Sequence, residues 1–183
     1  LKRTMQVASV IGKNFAFPIL HTITGMKEEL KSYLVNLQGL EFIYEKSLFP
    51  ELEYVFKHAL TREVVYDSML TKRQKRLHVE IADAIEDLYK ENIESQYGVL
   101  AEHYISGENY EKGAEYSNLA GKKAQRSASF KEAIEYVEKE VFCLERLKTT
   151  NATKRKIIDA RARLAGYHLS LTHHVEAKEA VAP

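Results

Sequence analysis

Asn109-Tyr110-Glu111-Lys112-Gly113-Ala114-Glu115-Tyr116 is answered further along by Ser129-Phe130-Lys131-Glu132-Ala133-Ile134-Glu135-Tyr136. Both octapeptides carry an aromatic residue second, a small residue fifth and Tyr eighth. The distance between them is one helix plus its joint. Such an echo predicts consecutive helices stacked as hairpins, each burying its apolar stripe against the next.

Outward from this pair, residues 71–183 read as successive helices with brief joints. Within 71–90, Leu77, Ile81, Ile85, Leu88 and Tyr89 form one stripe, with Arg76, Glu80, Asp83 and Lys90 away from it. Tyr97, Leu100, Ala101, Tyr104 and Ile105 follow, then a joint at Gly107-Glu108-Asn109. The next helix offers Gly113, Ala114, Ser117, Ala120, Gly121 and Ala124, a face of small residues that lets a neighbour approach closely. Phe130, Ala133, Ile134, Val137, Val141 and Leu144 mark a fourth helix. A last one, about 152–172, carries Ile157, Ile158, Leu164, Ala165 and Leu169.

Residues 1–70 are broken into shorter pieces. A helix is predicted over 1–11, then a turn at Gly12-Lys13-Asn14 and a short apolar segment from Phe15 to Leu20. Met26, Leu30, Tyr33, Leu34 and Leu37 stand at helical spacing, with Gly39 as the stop. Strand is predicted only at 41–46 and 53–57, where Phe42 with Tyr44 and Tyr54 with Phe56 alternate. Ser47-Leu48-Phe49-Pro50 joins them as a hairpin loop. Helix resumes over 58–70, with Leu60, Val64, Val65 and Met69 on one side. The expected architecture is therefore mainly α: a winged-helix-like module with one short β-hairpin over 1–70, then antiparallel α-hairpins over 71–183. The hairpins are TPR-like, although the repeat is shorter than the roughly 34-residue tetratricopeptide period.

Composition is that of an ordinary globular domain, 45% hydrophobic and 29% charged, with 27 Lys+Arg against 26 Asp+Glu. A net charge of +1, spread evenly, gives no field for nucleic acid or an anionic membrane. Cys143 is the single cysteine, so the reading is a reducing, cytoplasmic setting. No apolar run reaches the roughly 18 residues of a membrane span. The chain opens on Leu1-Lys2-Arg3-Thr4, which leads into no signal-peptide core, and it reads as part of a larger protein.

No catalytic constellation is legible. Gly12-Lys13 lacks the earlier glycine and the following Ser/Thr of a phosphate-binding P-loop: Val7 and Asn14 stand there. His168, His173 and His174 have no acidic or cysteine partner at metal-ligand spacing, so no metal site is expected. Cys143 reads as a half-buried helix residue. Lys72-Arg73-Gln74-Lys75-Arg76 is the one basic run; Lys72, Arg73, Lys75 and Arg76 are candidates for contact with a partner or a phosphate. The 26–37 helix sets Lys27 and Lys31 beside Glu28 and Glu29, without the Arg/Asn/Gln cluster that reads base edges. His58 follows the hairpin and opens a helix, where free backbone amides favour an anion.

Four segments, in this order, resemble one family. Ala8-Ser9-Val10-Ile11-Gly12-Lys13-Asn14-Phe15 is similar to the stretch that follows the nucleotide-binding module in signal-transduction ATPases with numerous domains (STAND). Tyr54-Val55-Phe56-Lys57-His58-Ala59-Leu60-Thr61-Arg62-Glu63-Val64-Val65-Tyr66 resembles the post-wing segment of the AAA-type ATPase and TPR region attached to bacterial class III adenylate/guanylate cyclases. Arg76-Leu77-His78, with Ile81-Ala82 and Ile85-Glu86, resembles the helix after it, and Leu100-Ala101 with His103-Tyr104 the opening of the helical array. The resemblance covers about residues 5–145. It implies a winged-helix module closing an ATPase, with the helices as sensor or scaffold arm. In related NB-ARC-type ATPases a His-x-Leu motif contacts the β-phosphate of bound ADP; His58-Ala59-Leu60 stands at that position, with Ala59 where Asp is usual. The expected function is a non-enzymatic regulatory and interaction module of a signalling ATPase coupled to a nucleotide cyclase. ATP or ADP would belong to the parent, with no cofactor in this chain. Its partners would be the upstream nucleotide-binding domain and a protein on the helical array, with neither nucleic acid nor membrane. The competing expectation is the DNA-binding part of an ATP-dependent transcription regulator.

Overall fold

The computed structural model describes residues 1–26 and 28–171. The chain is mainly helical, with one small antiparallel sheet, and divides into two compact units, Leu1–Lys90 and Glu91–Pro183.

The first unit is built round α1 (Lys2–Ile11), whose residues Thr4 to Val10 are all buried. A helix covered on every side needs elements on every side. Those that pack on α1 are β1 (Asn14–Ala16), α2 (Phe17–Thr24), α4 (Ala59–Asp67) and α5 (Thr71–Leu88). Pro18 in the first turn of α2 and Gly25 at φ 65° after its end set that helix's limits. α3 (Glu28–Gly39) buries Leu30, Leu34 and Leu37 and leads into β2 (Ile43–Ser47) and β3 (Glu53–Phe56).

The sheet departs from the expected single hairpin. β1 adds a third strand, in the order β1-β3-β2, all antiparallel, with Phe15 opposite Tyr54. Three residues are too few to display alternation, and the strand they pair with lies far along the chain. What holds β1 is aromatic packing: the Phe15 ring stacks on Tyr54 at 5.8 Å and tilts against Phe56 at 5.4 Å.

Two further expectations for this unit change. α4 buries none of its residues, and Leu60 (68% exposed) and Val64 (60%) face solvent rather than a core. α5 packs on α1 and α2, so the unit boundary falls after this helix instead of at 70/71. Leu77, Ile81 and Ile85 make its buried stripe as expected, while Leu88 is exposed. His78 is buried on the same side, its Nε2 3.1 Å from Tyr66 Oη, and burial pushes its imidazole down to about 4. At the end of the unit, Tyr89 Oη donates to Glu51 Oε1 at 2.6 Å.

In the second unit α6 (Tyr97–Ser106), α7 (Tyr110–Arg126), α8 (Phe130–Leu144) and α9 (Asn151–Ser170) each pack on the next. The sequence echo has a structural counterpart in the two joints. Glu108 N donates to Ile105 O (2.9 Å) and Asn109 N to Tyr104 O (2.9 Å); Ala128 N donates to Gln125 O (3.0 Å) and Ser129 N to Ala124 O (2.9 Å). Both are Schellman closures, with Glu108 at φ 59° and Ala128 at φ 55° in the left-handed position that usually belongs to Gly. Glu108→Gly and Ala128→Gly should each raise the unfolding free energy by about 0.5–1 kcal/mol, because left-handed backbone costs an L-residue roughly 1–2 kcal/mol and glycine's extra unfolded-state entropy offsets part of that gain. Denaturant titration checks it; a lowered midpoint contradicts it.

The small face of α7 is buried as the sequence predicts: Gly113, Ala114, Ser117, Ala120, Gly121 and Ala124 are all covered. A Cβ on Gly113 would stand 3.0 Å from Ile105 Cγ1 and 3.1 Å from Cys143 Sγ. Cys143 is fully buried rather than half-buried, and desolvation pushes its thiol up to about 11. Ala120→Leu should overpack this seam and destabilise by about 1–3 kcal/mol. An unchanged melting midpoint would contradict the packing. α9 turns inward a face that shares Ile157 and Leu164 with the expected one and otherwise differs from it. Ala160 and Tyr167 are buried, with Leu164 against them and Ile157 against a neighbouring cluster. Ile158, one residue along from Ile157, and Leu169 both lie off that stripe and are exposed.

Candidate functional site

The first unit carries the residues singled out from sequence. His58 has extended backbone (φ −126°, ψ 132°) and is the N-cap of α4. Its carbonyl accepts from Thr61 N (3.1 Å) and Arg62 N (3.4 Å), while its exposed imidazole makes no cap hydrogen bond. Just before it, Lys57 Nζ donates to Glu41 Oε2 at 2.6 Å, a bond that holds the Glu41 carboxyl below its usual range. Lys57 also lies 5.5 Å from the Tyr44 ring centre. The corner between β3 and α4 is thus fixed through Lys57, and the His58 ring remains outside.

Next to His58 on α4 begins an apolar groove of about 590 Å³. Leu60 and Val64, one helical turn apart, form one wall with Val65; Leu1 ahead of α1, Met5 within it and Phe42 before β2 complete it. The sequence showed the i, i+4 apolar spacing of α4 but not its direction, because periodicity tells that a face is apolar and not what covers it.

The basic run disperses round α5. Lys72 and Arg76 are exposed, Arg76 pairing with Glu80 at 3.2 Å, and Lys75 is half-buried. Arg73 alone turns into a cleft of about 510 Å³, where Lys2, Arg3, Gln6 and Ser68 join it. Its Nε is buried with no hydrogen-bond partner. Lys2 and Arg3 were not among the sequence candidates; they reach Arg73 only because α1 and α5 pack together.

In the second unit a groove of about 630 Å³ runs between α7, α8 and α9. Its floor holds Glu140, 5% exposed, which takes Arg163 Nη2 at 2.7 and 2.9 Å and Asn118 Nδ2 at 2.8 Å. Lys122, Lys156 and Asp159 stand along it. A carboxylate inside an apolar helix stripe carries no sequence signal of its own; its partners come from two other helices. His168 is half-buried near the end of α9, and His173 and His174 lie outside the described residues. Among the described residues no group of His, Cys, Asp and Glu is placed to hold a metal ion, and no helix is long and apolar enough to cross a membrane.

Comparison with known proteins adds no relative: no family model matches the chain, and neither curated proteins nor solved structures give a significant match.

Proposed function

We propose that this chain is a non-catalytic regulatory and interaction module of a multidomain signalling ATPase, acting with a nucleotide cyclase. The observation that carries the reading is the α4 corner. An exposed histidine begins a helix whose apolar face, Leu60 and Val64, is left to solvent. A folded domain leaves such a face open where another surface docks. The element order α1-β1-α2-α3-β2-β3, with sheet order β1-β3-β2, supports a winged-helix reading of the first unit. The repeated Schellman joints and the buried small face of α7 support a TPR-like reading of the second, whose groove would take a protein partner. The resemblance of 54–66 to the post-wing segment of STAND ATPases supplies the nucleotide: ADP held in an upstream domain, with His58 turned toward its phosphate and the closed state favoured by that contact.

The transcription-regulator alternative finds less support. The exposed side of α3 offers Lys31 and Glu29 with Ser32, Val35 and Asn36, too little positive charge to follow a phosphate backbone. Titrating the chain with random duplex DNA at low salt separates the two readings, because non-specific DNA binding is electrostatic and strongest there. The module reading expects no binding; salt-sensitive binding would favour the alternative.

A further inference from the structure

The apolar groove and the basic cleft of the first unit are continuous. Lys2, Gln6 and Ser68 line both. One end of this surface is therefore hydrocarbon, from Leu60, Val64 and Phe42, and the other is positive, from Lys2, Arg3 and Arg73. Among the described residues no carboxylate lines either part, and none of these three cations is in an ion pair. Arg73 keeps Nε buried without a partner. Gln6, a residue 5% exposed, lies at the junction, and its side chain makes only a long hydrogen bond from Nε2 to Ser68 Oγ, 3.4 Å. Arg73 also occupies the first turn of α5, where positive charge opposes the helix dipole and no acidic residue relieves it. An incoming carboxylate would bring Lys2, Arg3 and Arg73 the counter-charge they lack. The shape decides the kind of occupant. An i, i+4 pair of apolar side chains walling a concavity takes the apolar stripe of a helix, whereas a lipid interface takes apolar residues that protrude.

We propose that this continuous surface is the docking site for an acidic amphipathic helix of a protein partner. Its apolar stripe lies against Leu60, Val64 and Phe42, and the acidic residues at one of its ends meet Lys2, Arg3 and Arg73. The proposal rests on the reading of the α4 face as a docking surface and adds the partner's chemistry. Apolar burial provides adhesion, and the paired charges fix the direction in which the helix lies.

The test uses two labelled synthetic helices with the same leucine stripe, one ending in glutamates and the other in glutamines, measured by fluorescence anisotropy on the intact chain. The glutamate helix should bind about tenfold tighter or more at low salt, and lose that advantage in rising salt as exposed charge pairs are screened. Lys2→Gln, Arg3→Gln and Arg73→Gln together should bring the two helices to equal affinity, and Leu60→Glu, a surface change, should weaken both. Equal affinity in the wild-type chain, with both helices still sensitive to Leu60→Glu, overturns the acidic partner and leaves the docking face standing. Binding of neither helix overturns both. Vesicles of phosphatidylserine that displace the glutamate helix would overturn the proposal in favour of a lipid surface.

Discussion

Glu140→Ala is expected to lower the unfolding free energy of the second unit by about 2–4 kcal/mol, somewhat under the cost of breaking a fully buried ion pair. The change removes the buried partner and leaves the half-buried Arg163 unpaired. The carboxylate is 5% exposed and ties three helices together: it sits on α8, takes Arg163 of α9 at 2.7 Å and Asn118 of α7 at 2.8 Å. Truncation leaves the Arg163 guanidinium, already with Nη1 buried and unpartnered, facing Asn118 without a counter-charge. Replacing both members, Glu140→Leu with Arg163→Met, should recover most of the loss, since an apolar pair of similar size avoids the desolvation of both ions. Chemical denaturation of the two variants gives the comparison. A loss under about 1 kcal/mol in Glu140→Ala would mean that the pair is solvated, in the range of surface salt bridges.

Phe15→Ala should cost the first unit about 3–5 kcal/mol, the range for truncating a buried aromatic ring. Phe15 is 1% exposed and is the central residue of β1. Its loss removes the contacts with Tyr54 and Phe56 that seat this short strand on β3. Circular dichroism melting reads the effect. A variant that melts within a few degrees of wild type would show that β1 contributes little to the unit.

These variants also mark where the sequence was readable. The helices were legible because their apolar residues recur at helical spacing, and the 109–116 and 129–136 echo located the joints that the structure closes in the same way twice. The β2–β3 hairpin was legible from alternating aromatics on either side of a loop. β1 was not, since a three-residue strand has no period and its partner is distant in sequence. The facing of α4, and part of that of α9, was misread for a related reason: periodicity shows that a stripe is apolar but not what covers it. So α4 buries none of its residues, and α9 buries Ala160 and Tyr167 in place of Ile158 and Leu169. Of the candidate site residues, the position of His58 at a helix start was legible from Tyr54-Val55-Phe56-Lys57-His58. The partition of Lys72, Arg73, Lys75 and Arg76 was not, because it depends on α1 arriving with Lys2 and Arg3.

The central claim is that the α4 corner faces outward to sense nucleotide in a neighbouring domain, and His58→Ala tests it most directly. In this chain the exposed imidazole makes no cap hydrogen bond, so the variant should melt within the roughly 0.5 kcal/mol range of ordinary surface substitutions. In the full-length protein the same change should reduce the ADP retained through purification and raise basal output, as loss of a contact made only in the closed state shifts that equilibrium by the contact's own energy. Full retention of ADP by the His58→Ala protein would contradict the account, as would a large drop in the melting midpoint of the variant chain.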